Sequence, residues 1–433
     1  MDRDLAAIGG FVLLFVLMVL RVPIGFAMAI VGVSGFAVMT DIGPGLKLLE
    51  TSPLRTVLDY DLSIIPMFIL MGAFATAAGM SRELFRAGNA WLGHLRGGLA
   101  LAAISACAGF AAINGSSVAT AATMSTVALP EMRKAGYHPG TAAGVIAAGG
   151  TLGIMIPPSV IFALYGLMTE QDIGKLFIAG ILPGILAVAL YFITIQLIGW
   201  FRPAAMPRGP AHSWAERWRS LRDIWATLLL FVFVIGGMYG GLFTATEAAG
   251  TGAFGALAIG VARGRLNWSG ILRCLIEALR TSSAIFSIVI GAFLFGYFLT
   301  ITQTTQNATQ FLANLPIGPY GVLALILLGY LILGAIMDEL AMILLTVPIV
   351  YPAMMLLGFD PIWFGVIIVM TVTLGLICPP IGMNVFVINS IARDISLASI
   401  YRGVGPFIWA DILRLTILCA FPIISLYLPR TMG

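Results

Sequence analysis

The chain has 433 residues, of which 60% are hydrophobic and 10% charged, with a formal charge of +4 and a mean hydropathy of +1.03. That balance excludes a water-soluble enzyme and gives no basis for nucleic-acid binding. It describes a protein that crosses a lipid bilayer many times. Four stretches, 97–130, 139–169, 281–337 and 361–392, contain no Asp, Glu, Lys or Arg at all.

In chain order, Met1-Asp2-Arg3-Asp4 lacks the basic region and cleavage site of a signal peptide, so 5–20 is expected to be a retained first helix. Further spans are expected near 22–40, 62–79, 140–168, 173–200, 223–243, 246–262, 281–300, 361–392 and 404–428. The loops at 41–61 and 169–172 are acidic on balance, whereas 202–222 and 263–280 are rich in arginine. Amphipathic stretches at 81–96 and 264–280 are expected to lie along the membrane interface. Thr244 and Glu247 have capping-box spacing and read as a helix start.

Two apolar stretches, 98–130 and 319–353, are too long for one crossing of a ~30 Å core and carry small or polar residues at their middles. They are expected to be re-entrant hairpins with tips at membrane depth. Arg82, Arg86, Arg96, Arg133 and Lys134 flank the first, which places both its ends on the cytoplasmic side. The flanks of the second, 301–320 and 355–361, have no Lys or Arg and belong on the opposite face.

The sequence also repeats itself. Thr151-Leu152-Gly153-Ile154-Met155-Ile156-Pro157-Pro158 matches Thr373-Leu374-Gly375-Leu376-Ile377-Cys378-Pro379-Pro380, 222 positions on, and Gly136-Tyr137-His138-Pro139 matches Gly358-Phe359-Asp360-Pro361 at the same shift. Paired, interrupted apolar segments in two halves point to a mid-membrane site of a secondary transporter. The expected fold is therefore an all-α polytopic membrane protein built as an inverted repeat. Residues 1–200 and 223–433 form the halves, each with five transmembrane helices and one hairpin, joined by a cytoplasmic linker at 201–222. An odd number of crossings per half inverts the second half and leaves both termini outside.

Broken helices offer backbone carbonyls and hydroxyls, the neutral oxygens that a hard cation such as Na⁺ requires. One candidate cation site joins the hairpin tip Asn114, Gly115, Ser116 and Ser117 to the break at Gly149, Gly150, Thr151 and Gly153. A second joins Met337 and Asp338 to Thr371, Thr373 and Gly375. Pro157-Pro158 and Pro379-Pro380 stop their helices. Beyond them Ser159 and Asn384 are candidate substrate contacts, where freed helix N-termini would favour an anion. Asp338 could equally serve as a helix cap, and Asn384 as a bond between helices.

Together with Val22-Pro23-Ile24-Gly25, Ile64-Ile65-Pro66-Met67-Phe68, Thr244–Ala249 and Met383-Asn384, these motifs make the chain resemble the large membrane subunit of tripartite ATP-independent periplasmic (TRAP) transporters. The resemblance runs nearly end to end. It implies Na⁺-coupled import of organic acids across a bacterial inner membrane by an elevator motion, with no other cofactor. It also implies two partners, a small four-helix membrane subunit and a periplasmic substrate-binding protein. It gives no role to Glu339. Rival readings are a stand-alone ion-coupled carboxylate transporter or Na⁺/H⁺ antiporter, and, in another class, a channel or scaffold subunit.

Overall fold

A computed structural model describes residues 2–432, and among them every regular element is helical. The first half contains α1 (Arg3–Val19), α2 (Ile24–Met39), α3 (Ile42–Val57), α4 (Ile64–Ala77), α5 (Met80–Leu92), α6 (Gly98–Asn114), α7 (Ser117–Val127), α8 (Leu129–Lys134), α9 (Pro139–Met155), α10 (Val160–Thr169) and α11 (Ile173–Phe201). After α12 (Trp214–Asp223) come α13 (Trp225–Tyr239), α14 (Ala245–Ala262), α15 (Trp268–Ile301), α16 (Thr304–Ala313), α17 (Gly318–Gly334), α18 (Glu339–Leu356), α19 (Pro361–Gly375), α20 (Met383–Ile391), α21 (Leu397–Ala420) and α22 (Ile423–Thr431).

The 222-residue shift carries helix starts onto helix starts. Ser117 and Glu339 open α7 and α18, and Pro139 and Pro361 open α9 and α19. The local causes match as well. Ser116 and Asp338, 222 apart, cap the outgoing arms of the two hairpins with their side chains, each accepting from the amides of the first turn. The prolines at 139 and 361 sit at the first helical position, where no donor is missed. Gly115 ends α6 at φ 66°, a left-handed conformation that favours glycine.

Packing crosses between the halves. The α2 helix lies along α15, α14 lies along α4, α10 packs on α18 and α20 on α7. Small residues make the first contact intimate. A Cβ on Gly25 would fall 2.5 Å from the Ser287 carbonyl oxygen, and one on Gly32 2.5 Å from that of Leu294. Backbone-to-backbone contact of this kind is how helices associate in lipid, where apolar burial gives no driving force.

The two broken helices occupy the centre. Every residue of α19 from Trp363 to Gly375 is buried, as are Ala142–Met155 of α9. By contrast Leu5, Ile8 and Val19 on α1, and Leu46 and Leu54 on α3, are exposed. That apolar girdle marks the lipid-facing side. The hairpin arms α6 and α17 have 17 residues each, about 25 Å at ~1.5 Å per residue, too short to cross the ~30 Å core and suited to ending within it.

Two stretches depart from expectation. The stretch 42–57, expected in a loop, is helix α3, meeting α4 at a 62° bend. The stretch 264–280 is not a separate interfacial helix, because from Trp268 it runs without a break into the following span as the 34-residue α15. No Pro or Gly pair interrupts it there, so nothing stops the hydrogen-bond ladder. The linker 201–222 includes most of α12, opened by a Ser213/Glu216 capping box. The Ser213 backbone amide and hydroxyl, donating to Glu216, hold that carboxyl below its usual range. Trp214 and Trp218 of this helix pack edge-on against Trp91 of α5. The Thr244/Glu247 capping box forms as expected.

Candidate functional site

The first hairpin tip meets the first break. Gly153 of α9 faces the Ser116 carbonyl, and a Cβ there would fall 2.7 Å from the Thr120 hydroxyl. Gly115 faces the Pro158 carbonyl, at 2.7 Å from a would-be Cβ. Thr120 donates to the Ser116 carbonyl at 2.8 Å, and the Asn114 amide donates to the same oxygen at 3.4 Å. The expected break at Gly149, Gly150, Thr151 and Gly153 is helical, because α9 runs to Met155. The chain unwinds only at 156–159, where Pro157 and Pro158 offer no amides to continue the ladder. Asn114, Gly115, Ser116 and Pro158 gather neutral oxygens at the unwound tip and break, the donor set that suits a hard monovalent cation. Thr120, which sequence reasoning passed over, joins them.

Other residues assigned to this site point elsewhere. Ser117 turns to α20, where the Asn384 amide donates to its hydroxyl at 2.7 Å. Gly150 packs on Ala121 and Asn384, and Gly149 on Cys107 of α6. The Thr151 hydroxyl donates to the Ala148 carbonyl at 2.6 Å and lies 3.0 Å from the Tyr191 hydroxyl, directed away from the tip. Tyr191 in turn donates to Asp411 at 2.8 Å, and Asp411 pairs with Arg414 at 2.9 Å, both 1% exposed. The sequence does carry a signal for this cluster, since two opposite charges three apart inside a span are costly and usually functional.

The second tip is arranged similarly. Gly334, at the end of α17, and Gly375 touch backbone to backbone, and the Ile381 amide donates to the Ala335 carbonyl at 3.3 Å. Asp338 accepts from the amides of Leu340 at 3.0 Å and Ala341 at 3.4 Å, a true helix cap. Met337 is buried beside it. Thr371 and Thr373 donate to carbonyls of their own helix, those of Ile367 and Met370. Their hydroxyls retain lone pairs but are not directed at Asp338 by any bond. Glu339 is 8% exposed, and its Oε2 has no hydrogen-bond partner among the described residues.

The two proline pairs differ in setting. Pro157 and Pro158 are buried, and Ser159 behind them is fully buried as the cap of α10, accepting from Phe162 at 3.4 Å. Pro379 and Pro380 are exposed, with Tyr401 donating to the Pro380 carbonyl at 3.0 Å. Asn384 is fully buried and bonds across helices, the alternative that the sequence left open.

Both hairpin tips open into one cavity of about 940 Å³. Asn114–Ser116 and Asp338–Leu340 line it from the tips, α4 lines one flank, and the turn Arg265–Asn267 with α15 as far as Ile288 closes it. Arg273, Glu277 and Thr281 of α15 lie four apart and form a polar stripe along this wall. Arg265 is held at the mouth, donating to the Ala78 carbonyl at 2.8 Å and pairing with Glu83 at 2.5 Å. These α15 residues escaped the sequence reading because 264–280 was separated from the span that continues it.

The model of the family described as "Tripartite ATP-independent periplasmic transporter, DctM component" matches residues 11–424. The chain is 37% identical over 390 residues to the C4-dicarboxylate TRAP transporter large permease protein DctM of Pseudomonas aeruginosa, covering 90% of this chain and 89% of that protein. It is 31% identical to the sialic acid TRAP transporter large permease protein SiaM of Vibrio cholerae, covering 94% and 95%. Among solved structures, the YdaH transporter of Alcanivorax borkumensis, whose topology is described as unusual, is similar in fold. Its TM-score is 0.59 at 15% identity, over 89% of each chain.

Proposed function

Because the chain belongs to the DctM-component family of TRAP transporters, and is thus a multi-pass large permease and not an enzyme, we propose that it imports a small organic acid by Na⁺ symport. The observation that carries this reading is the shared cavity, which brings both hairpin tips and Arg273 of α15 to one space. The tips supply oxygens for the coupling cations, at Asn114–Thr120 with Gly153 and at Asp338 with Thr371, Thr373 and Gly375. Arg273 supplies positive charge towards an anionic substrate, while Arg265 is already paired with Glu83 at the mouth.

Halves 1–200 and 223–433 lie inverted in a bacterial inner membrane, with 201–222 on the cytoplasmic side and both termini outside. The hairpin-bearing part, with α9, α10, α19 and α20, moves as an elevator against α2, α14 and α15. A small four-helix membrane subunit steadies the static part, and a periplasmic binding protein delivers the substrate. The relatives named for C4-dicarboxylates and sialic acid support a carboxylate as cargo.

Energetics permit the coupling. One charge crossing 100 mV yields ~2.3 kcal/mol and a tenfold gradient ~1.4 kcal/mol, so two Na⁺ carrying a monoanion release about 5 kcal/mol. The test is uptake into proteoliposomes holding this chain and the small subunit, with the binding protein outside and candidate acids supplied. Uptake is expected only under an inward Na⁺ gradient. Equal uptake under a K⁺ gradient would overturn the coupling, and full uptake without the binding protein would overturn the tripartite reading.

A further inference from the structure

The lipid-facing side of α11 and α21 carries a groove of about 740 Å³ that plays no part in the transport path. The two helices run antiparallel along it, α11 contributing Leu190 to Arg202 and α21 contributing Arg402 to Leu413. Its length follows from the helix rise. Twelve residues at ~1.5 Å each is roughly 18 Å, close to one leaflet of a ~30 Å core plus the start of its headgroup layer.

Charge is confined to one end. Arg202 and Arg402 lie there, both exposed, and neither has an ion-pair partner among the described residues. Away from them the walls are mainly apolar, with Leu197, Trp409 and Leu413, and Thr194 among the exceptions. Pro406 adds an acceptor, because it has no amide to bond the Arg402 carbonyl four residues back. Two unpaired cations and a freed carbonyl at one end of an apolar, leaflet-long trough complement a phosphate, a headgroup hydroxyl and an acyl chain.

We infer that this groove binds one anionic phospholipid, its phosphate on Arg202 and Arg402 and one acyl chain along α11 and α21. The lipid belongs to the cytoplasmic leaflet, a clause that rests on the topology proposed above. Basic pockets between helices on that side are where anionic headgroups are recognised. Such a lipid fills a trough that would otherwise leave two helices poorly packed, and it moves with the part of the protein that carries α9 and α21.

Native mass spectrometry of the purified chain, with phosphatidylglycerol or phosphatidylcholine added to the detergent, tests the assignment. Wild type is expected to retain one phosphatidylglycerol preferentially and to gain thermal stability from it. The double variant Arg202→Gln, Arg402→Gln should retain it roughly 30-fold less well, the effect of losing two cationic contacts. A second variant approaches the groove differently. A Cβ on Gly405 meets nothing within 4 Å, so Gly405→Leu fills the trough without disturbing the core and should expel the lipid with both arginines intact. Gly405→Leu retaining phosphatidylglycerol like wild type, or phosphatidylcholine binding equally well, would overturn the inference. So would glycerol 3-phosphate alone stabilising as much as the lipid. Labelling that placed 202 and 402 outside, with retention unchanged, would remove only the leaflet clause.

Discussion

Ser117 and Asn384 lie 267 positions apart, yet the asparagine amide donates to the serine hydroxyl at 2.7 Å, with both residues fully buried. The bond joins the outgoing arm of the first hairpin to the helix that follows the second proline pair. It therefore links the first hairpin directly to the broken helix of the second half. Asn384 also donates to the Ala147 carbonyl at 3.2 Å, in the middle of α9.

Removing one partner leaves a buried polar group unsatisfied, at a cost of ~1–3 kcal/mol. Asn384→Ala and Ser117→Ala should each lower thermal stability, and the double variant should cost less than their sum, with a coupling energy of roughly 1 kcal/mol. Strict additivity in a double-mutant cycle would show that the contact carries no energy.

Gly153→Ala tests the first cation site. Its new methyl must displace the Ser116 carbonyl or the Thr120 hydroxyl, which the closed packing does not allow without moving the tip. The expected result is folded protein whose uptake needs about tenfold more Na⁺ for half-maximal rate, a loss near 1.4 kcal/mol in cation affinity. An unchanged Na⁺ dependence in Gly153→Ala, and in Ser116→Leu alongside it, would remove this site.

Asp338 both caps α18 and lines the cavity. Asn caps nearly as well as Asp, so Asp338→Asn should keep its stability while transport falls at least tenfold through loss of charge. Asp338→Ala should in addition lose ~1 kcal/mol of stability. Uptake and melting measured on both variants separate the two roles, and full activity in Asp338→Asn would leave only the cap.

The pair Asp411–Arg414 predicts an asymmetric response to mutation. Asp411→Leu strands a buried guanidinium, some of whose nitrogens already lack partners, and should cost about 3–5 kcal/mol. Adding Arg414→Met should restore most of that loss, because two well-packed apolar side chains replace the pair. A double variant as unstable as the single one would contradict this account.

The topology is open to a direct measurement. Single cysteines at 97 and 131 should be shielded from a membrane-impermeant reagent added outside, and those at 315 and 357 should react. Labelling at 315 but not at 357 would mean that the second hairpin crosses the membrane.

Much of this architecture is legible in the sequence because its signals are local. Gly115, Ser116, Asp338 and the proline pairs each break or cap a helix through their own backbone chemistry, wherever the rest of the chain lies. What escaped depends on which face of a helix is turned inward. Thr151 looks like a member of the first break, but helical geometry turns its hydroxyl towards Tyr191. Asn384 reads as a substrate contact until Ser117 is found against it. Arg273, Glu277 and Thr281 became visible as a stripe only once α15 proved continuous, since a spacing of four needs an unbroken helix to define its direction.

The Tyr191–Asp411–Arg414 brace has no counterpart in the other half. The 222-residue shift places Ala189 and Phe192 where Asp411 and Arg414 would be mirrored, and Leu413 where Tyr191 would be. The first broken helix is therefore held through Thr151 by a buried charged pair, and the second by neutral hydrogen bonds, from Tyr401 to the Pro380 carbonyl and from the Ile381 amide to that of Ala335. The two broken helices are thus not interchangeable, and two arrangements of the protein that swapped their surroundings would differ in energy.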